Sequence, residues 1–182
     1  MHLSEIESKR YYKLWKGLLE YINRKHEIDP KLPDIRTSKS IPVNDILPVR
    51  NVMWDNIKDL NEYISLNPDS FEQEDLDLIA SWRSRIQGQF IMLKHLKNYS
   101  IFLYPNAQLL YAVTGITDSL GDMFHSTHLP LIIDAVLIPY EDKIIYDSLL
   151  MPYNVRIGSN MKKNLNDEYR EIKTKHDIIK TL

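Results

Sequence analysis

The chain has 182 residues, 23 Lys and Arg against 25 Asp and Glu, and a formal net charge of −2. This length buries a core without covalent staples, and the charge balance disfavours a generic nucleic-acid coat. The absence of cysteine excludes disulfides and thiolate metal sites and fits a reducing cytoplasm.

The N-terminus, MHLSEIESKR, lacks the apolar run of a signal peptide, and every apolar run falls short of the ~18 residues a membrane span needs. Leu3 to Asn23 reads as an amphipathic helix, because Leu3, Ile6, Tyr11, Leu14, Trp15, Leu18 and Ile22 recur at spacings of three and four. Tyr11, Tyr12 and Trp15 fit either a base-stacking platform or a core stripe. From His26 to Pro48, Pro30, Pro33, Pro42 and Pro48 predict an extended connector, since proline lacks the donor of a helix or ladder. A second helix is expected over Val49–Leu66, stopped by Asn67-Pro68. Ser70 and Gln73 are placed to form a capping box for a third, whose stripe is Leu76, Ile79, Trp82 and Ile86.

Gln87 to Val155 holds only nine charged residues, so it must be buried against something. Five apolar runs read as strands: Phe90–Leu96, Tyr99–Tyr104, Leu109–Thr114, Leu131–Ile138 and Lys143–Leu150. A short helix over Ile116–Phe124 and a loop over His125–Pro130 separate the third from the fourth. A last helix follows, with Met161, Leu165, Tyr169, Ile172 and His176 on one stripe. Short connections predict an antiparallel meander, and helices on both sides of it predict an α+β fold. The expected division is a helical part over 1–66, with its connector at 26–48, and an α+β domain over 67–182.

Chemistry-bearing residues fall into four groups, each with a plain structural reading beside it. His125 and His128 with Asp122 fit a divalent-metal or acid/base cluster on a loop, or ordinary loop polarity. Asp134 and Asp147 fall on adjacent strands; paired there they suit magnesium-assisted phosphodiester cleavage, and apart they are a solvated Asp and a turn cap. Lys94, His95 and Lys97 at a hairpin tip suit phosphate binding or an exposed sheet edge. Arg156, Lys162 and Lys163 near a helix N-terminus suit an anion. Phosphate loops, dinucleotide fingerprints, zincin motifs and nucleophile elbows do not occur. Both ends of the chain are basic: Met1 to His26 has six cations against three anions, and Arg156 to Leu182 seven against four. Asn67 to Ile86 is acidic.

The segments EDLDLIASWRSRIQGQFIMLKHLKNYSIFL, YAVTGITDSL, LPLIIDAVLIPYEDKIIYDSLL and LNDEYREIKTKHDIIKTL, in that order, resemble a family of uncharacterised bacterial proteins from Phe71 onward. That family has Tyr-Asp-Gly where this chain has Tyr146-Asp147-Ser148, and a glycine run at Gly158-Ser159-Asn160. In length and general character the whole chain also resembles the type II-A anti-CRISPR inhibitors of phages and plasmids. That resemblance implies a cytoplasmic protein of a bacterial host that engages a type II CRISPR effector nuclease and its guide RNA. If it is an enzyme, it implies a ribonuclease that truncates the guide. In this reading the basic ends contact RNA phosphates and the acidic segment faces a basic groove of the nuclease. The alternatives are a non-enzymatic protein-binding module and a metal-dependent hydrolase.

Overall fold

The expected apolar stripe forms helix α1, Glu5–His26, in a computed structural model that describes residues 1–32 and 34–182. Tyr11, Leu14, Trp15, Leu18 and Ile22 are buried, whereas Ile6 is 81 % exposed. Three shorter helices follow: α2 (Val43–Asp55), α3 (Ile57–Leu66) and α4 (Gln73–Ser81). Ile6–Arg83 forms one unit, and Met1–Glu5 with Ser84–Leu182 forms a second. The centre of the helical unit is aromatic. Trp15 stacks on Tyr11 and meets Trp54 and Trp82 at ring-centroid distances of 5.6 and 5.9 Å. Tyr11 and Trp15 are therefore core residues, not a base-stacking platform.

The connector is shorter than its prolines suggest. Pro42 caps α2 and Pro48 lies inside it, at the cost of one hydrogen bond near the helix start. Burial of Ile46, Val49, Met53 and Trp54 offsets that loss. Pro33 lies outside the described residues. The rest of the connector is tied to the helices: the Ile35 amide donates to Glu20 Oε2 at 2.6 Å, and Arg36 pairs with Asp69 at 2.7 Å. The expected helix over Val49–Leu66 is broken at Asn56, whose side chain donates to Asp59 at 2.9 Å. The capping box does not form either. Glu72 occupies the N-cap of α4 without a side-chain bond, and Asn67 grips both backbone groups of Phe71 instead.

In the second unit the strands are β1 (Ile86–His95), β2 (Ser100–Tyr104), β3 (Leu109–Thr114), β4 (Leu131–Tyr140) and β5 (Lys143–Pro152). A last helix, numbered after a four-residue turn α5 (Leu120–Met123), is α6, Ser159–Lys175. The fold is α+β, but the sheet is not a simple meander. It closes as a barrel in the order β1-β2-β3-β5-β4, with β3 and β5 parallel through Val113–Ile144 and Thr114–Ile145. The reason is pairing across the chain: β4 runs antiparallel to β1 from Leu131–Met92 to Leu137–Ile86, so β5 fills the gap between β4 and β3. Gly88 lies within β1 with Tyr104 packed over it.

Alternation sorts the side chains of β1–β3 onto two faces. Phe90, Phe102 and Tyr111 cluster on one. Leu93, Ile101, Leu103 and Leu110 lie on the other, beneath Leu165 and Ile172 of α6. The chain then continues beside β3, where Ile179 exchanges backbone hydrogen bonds with Leu110 and Ala112 at 2.9 and 2.8 Å. On β4 only Asp134 is exposed; Val136 and Ile138, which alternate onto its face, are fully buried. Where β4 and β5 slip register, Ser148 takes φ 73°, the left-handed region that favours glycine.

Candidate nucleic-acid interface

The side chains of α6 segregate by charge. At about 100° per residue, Leu165, Ile172 and Tyr169 define the buried side. Next to Tyr169, within an arc of roughly 100°, come Lys162, Lys173, Arg170 and Lys163. The carboxylates Asp167, Glu171 and Glu168 occupy the far flank. Arg170 reaches Asp167 at 3.3 Å, an exposed pair of little energetic consequence, and Lys175 pairs with Glu171 at 2.6 Å. Among the described residues no carboxylate pairs with Lys162, Lys163 or Lys173.

Strand β1 adds a fifth cation to this stripe. The Lys94 ammonium lies 3.7 Å from the Tyr169 ring centroid. Burial depresses its pKa, and the neighbouring Arg170 and Lys173 charges depress it further. Like charges are thus held close enough to repel, which a bound anion relieves. Lys162 donates to the Leu129 carbonyl at 3.1 Å, fixing the first turn of α6 against the loop that precedes β4. Lys94, Lys162 and Lys163 were legible as candidates. Arg170 and Lys173 were not, although their spacing from Lys162 along the helix carries the signal.

The other candidates are placed differently. His95 has both ring nitrogens engaged at 2.7 Å, one with the Ser100 hydroxyl and one with the Phe124 carbonyl. A carbonyl only accepts, so Nε2 donates to Phe124, and both ring nitrogens are engaged in holding the fold. Lys97 is exposed in the β1–β2 turn, and Arg156 is exposed in the segment before α6.

His125 and His128 are exposed, with ring centroids 6.3 Å apart. His125 caps its own turn by accepting from the Thr127 amide at 3.3 Å, and Asp122 accepts from Ser119 at 2.6 Å. Among the described residues no three His, Asp or Glu side chains are grouped to hold a metal ion. Asp134 is exposed and accepts from the Tyr153 hydroxyl at 2.7 Å, while Asp147 is fully buried and accepts from the Leu149 amide at 3.4 Å. These two carboxylates share no surface.

The helical unit contains a cleft of about 470 Å³ with Glu20, Glu27, Asp29 and Asp34 on its walls. Three of its carboxylates serve the fold: Glu20 holds Arg24 and the Ile35 amide, Asp29 accepts from the Lys31 amide, and Asp34 accepts from the Arg36 amide. Of the acidic segment, Asp75 pairs with Arg10 and Asp69 with Arg36, both at 2.7 Å. No described helix is long and apolar enough to cross a membrane.

Comparison with family models, with curated proteins and with solved structures gives no match.

Proposed function

We propose that this protein binds RNA phosphates through the α6 stripe and Lys94, and that the RNA is the guide of a type II CRISPR effector it inhibits. One observation carries the RNA-binding reading: five cations, Lys94, Lys162, Lys163, Arg170 and Lys173, gather on one side of a helix whose acidic residues lie on the other flank. Such a stripe binds phosphates and releases their counterions, so affinity falls steeply with salt. The effector as partner rests on the resemblance in length and general character.

The geometry favours binding over cleavage. His95 has both nitrogens engaged, His125 serves as a turn cap, and Asp134 and Asp147 lie in different environments. The test is capture of the effector–guide complex by the purified protein, followed by sizing of the RNA. Capture of the complex with a full-length guide is expected, with loss of capture on combining Lys162→Glu, Arg170→Glu and Lys173→Glu. Failure to retain any RNA would remove the reading; RNA bound without the effector would remove only the effector as partner.

A further inference from the structure

We infer that the α6 stripe takes a base-paired RNA stem in preference to an unpaired strand, an inference that rests on the RNA-binding reading above.

Proteins that hold unpaired strands stack bases on exposed rings beside a cationic groove. Here the ring beside the stripe, Tyr169, has the Lys94 ammonium over it and packs against the Leu103–Leu165 cluster. Five-stranded barrels that bind oligonucleotides use the face of their second and third strands. In this chain Ile101, Leu103 and Leu110 on that face are covered by Leu165 and Ile172. What α6 leaves accessible is a row of charges, and its one ring, Tyr169, is already engaged by Lys94.

The row is also stiff. Leu165 and Ile172 anchor the helix to the sheet, and Lys162 is fixed to Leu129. From Lys162 to Lys173 the helix rises about 16 Å, at 1.5 Å per residue. A rigid line of cations fits phosphates already held in place by a duplex. A flexible strand must first be ordered to match it, which weakens binding. Paired RNA is recognised mainly through its backbone and shape, the features such a row addresses.

The experiment titrates the full-length protein with an RNA stem-loop of about 16 base pairs and with an unpaired RNA of equal nucleotide count, at matched salt. The stem is expected to bind at least about tenfold tighter, with a log affinity–log salt slope of roughly −3 to −4 for four or so phosphates. Exchanging Arg170 or Lys173 for Gln, both exposed, is expected to reduce that slope by about 0.9 each. Equal or tighter binding of the unpaired RNA overturns the stem preference and leaves the RNA reading standing. Binding of neither RNA overturns the RNA reading itself. Should either variant misfold, the comparison of the two RNAs with the unaltered protein still decides the matter.

Discussion

Lys94 and Tyr169 join β1 to α6 through a cation–ring contact of 3.7 Å, while Arg170 and Lys173 repel the same ammonium. The contact holds a cation in place that its neighbours oppose. A double-mutant cycle with Lys94→Met and Tyr169→Leu isolates it, because each change keeps apolar bulk. The expected coupling is about 0.5–1 kcal/mol at this half-exposed site, measured by denaturant unfolding. Zero coupling would assign the contact no energy.

Ser148 holds a left-handed backbone angle at the β4–β5 register slip. Ser148→Gly is expected to raise stability by about 1 kcal/mol, because glycine adopts this region without the Cβ penalty. The midpoint of thermal unfolding checks it; an unchanged or lower midpoint would contradict strain at this position.

Gly17 sits in the middle of α1, where an added Cβ would lie 2.6 Å from the Tyr63 hydroxyl and 3.0 Å from Asp69. Alanine is the better helix former by about 1 kcal/mol, yet Gly17→Ala is expected to destabilise by about 1–3 kcal/mol through overpacking. Combining it with Tyr63→Phe removes the nearest atom and is expected to recover part of the loss. Full tolerance of Gly17→Ala would show that the two elements separate at no cost.

Asp59 is almost fully buried and accepts from Lys25, His26 and Asn56. Burial alone would raise its pKa, but the hydrogen bonds from Lys25 and His26 hold it below the ordinary value. The unfolded chain therefore binds the proton more readily. The resulting stability is present above about pH 4 and is lost as the pH falls through the depressed folded value. Asp59→Asn is expected to cost about 1–3 kcal/mol at pH 7 and to flatten the acid limb of the stability profile. An acid limb identical in the variant would rule the residue out as its source.

His95 links β1 to the loop before His125 through the Phe124 carbonyl. His95→Ala is expected to lower stability by about 1–3 kcal/mol and to leave RNA affinity and guide length unchanged. Loss of a cleavage activity with stability intact would instead make His95 a catalytic acid.

Local pattern made most of the elements legible. Leu14, Leu18 and Ile22 sit at helical spacing, the apolar runs are separated by turn residues, and both expectations hold because period and burial act over a few residues. Where local signals misled, packing overruled them. Pro48 belongs in a loop by its missing donor, yet it lies in α2 because Ile46, Val49 and Met53 are buried around it.

Composition and spacing by themselves determined an α+β protein without cysteine chemistry, a charge-poor run of strands and a basic final helix. Only the tertiary structure decided that β3 and β5 run parallel, that Phe124 engages His95, and that Arg170 and Lys173 stand beside Lys94. Each of these relationships joins residues far apart in the chain. Their free energy comes from closing the barrel and seating α6 on it, and that is set by which distant surfaces bury one another.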